Sequence, residues 1–375
     1  MYMKKSTIII FCVALFAAQT AYGSTAFKTV GELGECLLNT ANNNAQIRYE
    51  KPGLVKSPEE WTEVLTDATE SLTTSVTLNI ANFKEEDYNI HNIANYNVSI
   101  TAEGTVRFIG PSTITYTFEY APNYRIMRAF EDSSLLSVLT GDELAALKRA
   151  YEIRNEIITS DMTDYEKELT IHDYIVKNYE FDMDGAQAQK GSNVRAHSIT
   201  GMLLDGNGVC EAYANTFMLL CRMSGLDCQL ATGTLDGVKH QWNTIKLGNE
   251  CYNIDLTSDD PVPDIKGRIY YDYFNLSDEE LSKTHVPDET NRKCTGVRYN
   301  YYSYNNLAVS SREDLLILLN DKLNRGLRTI TFKTVGGYVL ENADDIAVAA
   351  QGRDLNNVYV SGEYGKQGIF TATFN

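Results

Sequence analysis

The fold turns on one stretch, His240-Gln241-Trp242-Asn243-Thr244-Ile245-Lys246-Leu247-Gly248-Asn249-Glu250-Cys251-Tyr252-Asn253-Ile254-Asp255-Leu256-Thr257. Strand-forming residues flank Gly248-Asn249, a pair suited to a two-residue hairpin turn. With that turn, Trp242 lies opposite Asp255 and His240 opposite Thr257. Opposed residues share a face, as do residues two apart on one strand, so His240 and Asp255 become diagonal neighbours within hydrogen-bonding reach. Ile245, Tyr252 and Ile254 take the other face with Asn243, which leaves the His240/Asp255 face open for chemistry. A turn of odd length would shift the register by one and part the two residues.

Upstream, Gly206-Asn207-Gly208 precedes a helix expected to run to about Ser224, with Tyr213, Phe217, Leu220 and Cys221 spaced for burial. Cys210 falls in its first turn, where unpaired amides and the helix dipole favour a thiolate, the nucleophilic form. Cys221, in mid-helix on the apolar stripe, reads as a small packing residue. Cys210, His240 and Asp255 thus supply a nucleophile, a base and an orienting carboxylate. Two plainer readings stay open: His240 as a satisfied core histidine, and Asp255 as the start of the turn at Asp259-Asp260-Pro261.

These residues sit in motifs that resemble the bacterial transglutaminase-like superfamily, whose patterns are VC-x-GYA, HAWN and D-x-TW-x-DP. Here they read Gly208-Val209-Cys210-Glu211-Ala212-Tyr213-Ala214, His240-Gln241-Trp242-Asn243 and Asp255-Leu256-Thr257 with Asp259-Asp260-Pro261. Glu168-Leu169 with His172-Asp173-Tyr174, and Tyr271-Asp272-Tyr273-Phe274 with His285, fit as well, so the likeness covers roughly residues 140 to 290. The resemblance implies a papain-like core with Cys210 as nucleophile, His240 as general base and Asp255 as its partner. It also suggests Thr200, Trp242 and Val209 as oxyanion or substrate-cleft positions. The chain departs from the pattern at Ala212 (usually glycine), Gln241 (alanine) and Ser258 (tryptophan). Thr200 stands where relatives with H-x-x-Y-G carry tyrosine, so the Cys210 amide remains as the oxyanion donor.

Such a triad transfers an acyl group from an amide through a thioester; water as the second reactant gives hydrolysis and an amine gives cross-linking. The sequence leaves that choice open. A competing reading keeps the same fold for binding, with the tyrosines of Tyr299, Tyr301, Tyr302 and Tyr304 docking a polymer. More plainly, those tyrosines belong to a linker and pack on their neighbours. No metal or other cofactor is expected, and Asp259, Asp260 and Asp264 read as a solvated turn rather than a calcium site.

Composition narrows the partners. The 375 residues carry 33 Lys+Arg against 50 Asp+Glu, a formal charge of −17. That balance argues against nucleic acid and against adhesion to anionic lipid. Lys4 and Lys5, the apolar run Ile8 to Ala18 and Ala21-Tyr22-Gly23 read as an export signal over residues 1–23, too short to span a bilayer. Loss of the two lysines takes the charge from −17 to −19. The protein is therefore expected to be secreted or extracytoplasmic, without stable membrane insertion, and to act on a protein or peptide, cell-wall peptide included. Six cysteines then remain, too few for a disulfide scaffold and without a C-x-x-C pair; bridges among Cys36, Cys221, Cys228, Cys251 and Cys294 stay open.

An internal repeat frames the chain. Ser57-Pro58-Glu59-Glu60-Trp61, Leu65 and Val76-Thr77-Leu78 align at a constant offset with Ser311-Arg312-Glu313-Asp314-Leu315, Leu319 and Ile330-Thr331-Phe332. Tyr88, Ile90 and Asn92 then match Tyr338, Leu340 and Asn342, and both copies close on an alternating strand, Thr115–Phe118 and Thr371–Phe374. Each copy reads as helix, strand, helix, strand, strand. Between them, Thr140-Gly141-Asp142-Glu143 and Thr163-Asp164-Tyr165-Glu166 are capping boxes, the second opening a helix with Tyr165, Leu169, His172, Val176 and Tyr179 on one stripe. The expected fold is α+β. A helix bundle carrying Cys210 packs on an antiparallel sheet carrying His240 and Asp255, flanked by two small related α/β modules. The expected divisions are signal 1–23, linker 24–54, module 55–122, catalytic domain 123–295, Tyr-rich linker 296–309 and module 310–375.

Overall fold

The computed structural model describes residues 53–375 apart from 91–92, 94–97, 108, 188–193, 261, 265–266 and 356. The expected signal, nearly all of the 24–54 linker, Cys12 and Cys36 lie outside the described residues. The chain forms two compact units, Met1–Asp227 and Cys228–Asn375. Their boundary falls inside the 123–295 stretch, where the helical half gives way to the strands.

In the first unit, β1 (Leu54–Val55), α1 (Pro58–Glu70), β2 (Ser75–Ile80), β3 (Val98–Thr105) and β4 (Ser112–Tyr120) build a sheet of order β1-β2-β4-β3. Ser57 caps α1 by accepting from the Glu60 amide, and Pro58 fills a first-turn position where no N–H is needed. Trp61 and Leu65 on α1 bury against Val76, Leu78, Tyr116 and Phe118 of the sheet. Thr77 and Thr115 face each other across β2 and β4, their hydroxyls 2.9 Å apart.

The helical part follows with α2 (Pro122–Glu131), α3 (Gly141–Ile157), α4 (Asp164–Asn178) and, after the short parallel pair β5 (Glu180–Phe181) and β6 (Asn207–Gly208), α5 (Cys210–Met223). Both capping boxes form: Thr140 with Glu143 and Thr163 with Glu166 exchange side-chain and backbone bonds at the starts of α3 and α4. The buried stripe of α4 is rotated from the expected one. Glu168 is wholly buried while Leu169 is only half-buried, and Ile171 and Ile175 join Tyr165, His172 and Val176 inside. Helix α5 is apolar nearly all round and is buried from Ala212 to Cys221, so it forms the centre of its bundle rather than an amphipathic wall.

In the second unit, β7 (Asp227–Leu235, starting at the boundary), β8 (Val238–Leu247), β9 (Glu250–Ile254) and β10 (His285–Pro287) form a sheet of order β10-β7-β8-β9. The β8–β9 hairpin pairs Asn243 with Ile254, Ile245 with Tyr252 and Leu247 with Glu250, the register that a two-residue turn dictates; Gly248 takes φ 61°, where a Cβ would strain the turn. Strands β7 and β10 add to the two strands that the sequence pattern indicates.

The C-terminal module is β11 (Ala308–Val309), α6 (Arg312–Asn324), β12 (Thr329–Thr334), α7 (Asp344–Ala350), β13 (Val358–Ser361) and β14 (Ile369–Phe374), with sheet order β11-β12-β14-β13. It repeats the N-terminal module in order, cap and register. Ser311 accepts from the Asp314 amide, and Thr331 meets Thr371 with hydroxyls 2.9 Å apart. The two-residue strands β1 and β11, which sequence periodicity is too short to reveal, occupy equivalent edges. The second helix of the repeat is α7 in the C-terminal copy. In the N-terminal copy the described residues show only the 3-10 turn Glu85–Asp87.

Of the tyrosines in 296–309, Tyr302 is buried, Tyr299 and Tyr301 are half-buried, and Tyr304 is exposed. The Tyr302 hydroxyl donates to Asp272 at 2.9 Å, Tyr301 stacks on Tyr271 at 3.7 Å, and Tyr299 meets Tyr252 edge-on. Burial pushes the Asp272 carboxyl up, only partly offset by the Tyr302 hydroxyl and the Lys333 charge. Among the described residues, no helix is long and apolar enough to cross a membrane.

Candidate active site

The position of Cys210, the candidate nucleophile, is built by backbone geometry. Gly206 adopts φ 90°, β6 pairs in parallel with β5, and the Val209 amide donates to the Ala196 carbonyl at 2.9 Å. The chain then turns into α5, whose first residue is Cys210 and whose N-cap is Val209. A Cβ on Gly208 would lie 2.5 Å from the Ala212 Cβ, so glycine is needed here to let the helix start this close to β6. Cys210 is partly exposed, whereas Cys221 and Cys228, the other free cysteines among the described residues, are buried.

The loop before it is pinned. Asn123 of α2, 2 % exposed, donates to the His197 carbonyl at 2.9 Å and accepts from the Ile199 amide at 2.8 Å. Next to Cys210, Glu211 Oε2 lies 3.1 Å from His197 Nδ1. Burial pushes the Glu211 carboxyl up, and the His197 charge and hydrogen bond partly offset this.

In the second unit, His240 Nε2 is 2.8 Å from Asp255 Oδ2, the diagonal contact that the hairpin register sets up. Asp255 caps a short helix, Leu256–Asp259, by accepting from the Thr257 amide at 3.1 Å. It also accepts from the hydroxyl of Ser258, the residue standing where the family pattern has tryptophan. His285 brings a second imidazole to the same oxygen, with Nε2 at 3.2 Å from Asp255 Oδ2. Burial alone would raise the Asp255 carboxyl. The His240 charge, with hydrogen bonds from His240, His285 and Ser258, outweighs burial and holds it well below the usual carboxylate range.

The face carrying these groups is covered rather than open, which corrects the expectation from alternation. Trp242 packs with Ala231, Leu276, Leu281 and Tyr273, and its ring meets His285 edge-on at 5.1 Å. Segment 273–285 folds over this face, so β8 is buried on both sides. The Trp242 indole N–H donates to Asn253 Oδ1 at 3.1 Å, and Asn253 donates in turn to Asp278 at 2.9 Å. Asp278 accepts from the Cys294 amide at 3.0 Å, and Cys294 is disulfide-bonded to Cys251 on β9. Trp242 lies nearly parallel to the His240 ring at 6.1 Å, so this polar chain supports the platform under the imidazole.

The solvated turn expected at Asp259 and Asp260 is revised below. Trp242, Val209 and Thr200 are 1 %, 3 % and 5 % exposed, and the Thr200 hydroxyl is bonded to Ser198 at 2.6 Å. Asp259 and Asp260 are buried, not a solvated turn; Asp259 accepts from the Tyr273 amide at 2.9 Å and its carbonyl accepts from the Tyr270 amide. Asp264 is exposed. Among the described residues, His240, Asp255 and His285 are the group whose ligand atoms, all within 4.8 Å of one another, could hold a metal ion. Both imidazole nitrogens that a metal would need already face the carboxylate in N–H···O geometry.

Residues 151–256 match the model of the transglutaminase-like superfamily, so this part of the α+β chain is similar to a transglutaminase-like core. No curated protein matches the sequence. Among solved structures, a transglutaminase is 14% identical over 49% of this chain and 51% of its own, with a TM-score of 0.29; the chain spans about half its length. A candidate cysteine protease from Cytophaga hutchinsonii is 15% identical over 55% of this chain and 83% of its own, with a TM-score of 0.24. Calcium-bound LapG of Legionella pneumophila is 10% identical over 46% of this chain and 96% of its own, with a TM-score of 0.27.

Proposed function

We propose that the protein is a secreted or extracytoplasmic thiol enzyme that cleaves amide bonds of proteins or peptides, cell-wall peptide included, through a Cys210 thioester. The Cys210 thiolate adds to the amide carbonyl, and the Cys210 amide donates to the oxyanion. The carbon–nitrogen bond breaks as the His240 imidazolium gives its proton to the departing amine. Water or a second amine then attacks the thioester, its proton passing to His240, and the product is an acid or a new amide with the thiolate restored.

The observation that carries this reading is the bond from His240 Nε2 to Asp255, whose carboxylate is buried yet held ionised. In this reading the bond fixes the tautomer, and Nδ1 is the nitrogen that exchanges protons with sulfur. The start of α5 at Cys210 supports the same reading from the other unit. Against the competing polymer-binding reading, Tyr299, Tyr301 and Tyr302 are engaged in packing, which leaves Tyr304 as the exposed member of the set.

The test compares mature protein with Cys210→Ala on a glutamine peptide, with and without a primary amine. Amine incorporation supports transfer, and ammonia or peptide release alone supports hydrolysis. Equal traces for protein and variant would overturn both.

A further inference from the structure

His285 enters the sequence reading only as part of a family pattern, and its placement gives it a definite task. Its ring is fully buried and enclosed by Trp242 at 5.1 Å, Tyr273 at 5.5 Å and His240 at 5.4 Å. A leucine or phenylalanine would fill that apolar space at lower desolvation cost. The imidazole instead engages both nitrogens: Nδ1 lies 2.9 Å from the Thr284 hydroxyl and Nε2 lies 3.2 Å from Asp255 Oδ2.

The Thr284 hydroxyl has a second acceptor, the Leu281 carbonyl, at the longer distance of 3.4 Å. Donation to Nδ1 is the shorter option. It places the ring proton on Nε2, facing the carboxylate. Asp255 Oδ2 thus receives donors from His240, His285 and Ser258, while Oδ1 receives the Thr257 amide. Both imidazoles compete for one oxygen, so each tempers the charge that the other meets.

We propose that His285 is a positioning residue for the thiol chemistry, which rests on the function proposed above. Its Nε2–H holds the Asp255 carboxylate in the rotation that serves His240 and withdraws part of its charge. This limits how strongly Asp255 stabilises the His240 imidazolium. Two consequences follow from electrostatics. Without the His285 donor the carboxylate is less well fixed, which slows the reaction. It also carries more charge toward His240, which raises the pH at which the imidazolium gives up its proton.

The readout is the alkylation of Cys210 by iodoacetamide as a function of pH, which needs no substrate, together with kcat/KM on the glutamine peptide. For His285→Phe, which keeps an aromatic ring but no donor, kcat/KM should fall about tenfold, the scale of one charge-assisted hydrogen bond. The basic limb of both profiles should rise by roughly half to one pH unit. His285→Gln, whose amide nitrogen reaches the place of Nε2, should return the limb toward its original position. A side chain that only filled space would lower activity with the limb unmoved.

If the Phe variant does not fold, His285→Asn carries the same expectation, because its amide stops at the place of Nδ1. An unmoved limb in the donor-less variants, where His240→Ala does alter the alkylation profile, overturns the role of His285 and leaves the thiol enzyme standing. An alkylation profile insensitive to His240→Ala overturns both.

Discussion

Replacement of Asp255 by asparagine is the sharpest perturbation available, because it preserves shape and reverses polarity. The carboxylate is 1 % exposed and accepts from His240, His285, Ser258 and the Thr257 amide. An asparagine can keep one oxygen toward that amide only by turning its NH2 group on the two imidazole donors. Leaving buried donors opposed and unpaired costs about 3–5 kcal/mol. For a chain of this size or somewhat smaller that is a melting-point loss of roughly 10 °C at neutral pH.

The pH dependence has a definite sign. The Asp255 carboxyl is held below its ordinary value, so its contribution is complete above an unfolded pKa of about 3.9 and is lost as pH falls through the lower folded value. Thermal unfolding of protein and Asp255→Asn followed by circular dichroism should therefore show a gap that persists from about pH 7 to pH 5 and narrows below about pH 4. Activity should fall on the order of a thousandfold or more, because the histidine loses its tautomer. A gap under about 2 °C at pH 7, or one that does not narrow below about pH 4, would refute this account of the carboxylate.

Two further outcomes follow from the packing. The Cys251–Cys294 bridge closes a loop with a sequence separation of 43, so replacing both cysteines by serine should cost about 2–4 kcal/mol in denaturant unfolding, with a matching loss of the amine-release rate as the Asp278–Asn253–Trp242 chain loosens. An unchanged midpoint would count against it. Gly208→Ala should slow Cys210 alkylation and destabilise by about 1–3 kcal/mol, and adding Ala212→Gly should restore much of both, since the clash is chiefly between those two Cβ positions. Strict additivity of the two substitutions would show that the contact is not the cause.

The parts of the site that were legible in the sequence are those that local chemistry fixes. A two-residue turn leaves one register for the hairpin, so His240 and Asp255 could be paired from spacing alone. A capping box needs only four residues, and both predicted ones are present. The cysteine at the helix start belongs with them, because a glycine-bearing loop before an apolar run marks the boundary. What spacing could not reach is set by distant segments. His285 lies 30 residues beyond Asp255 on a three-residue strand, too short for any periodicity. The same folding-over buries Trp242 and closes the face that alternation alone left open. The disulfide partner of Cys251 is likewise a matter of where the 278–294 segment returns, and composition carries no trace of it.

The matched threonine pairs, Thr77 with Thr115 and Thr331 with Thr371, mean that the molecule carries its own internal control. A change made at one pair meets nearly the same cap, the same sheet order and the same cross-strand neighbour when made at the other. Like responses would measure the module itself; unlike responses would measure what each copy's surroundings add to it.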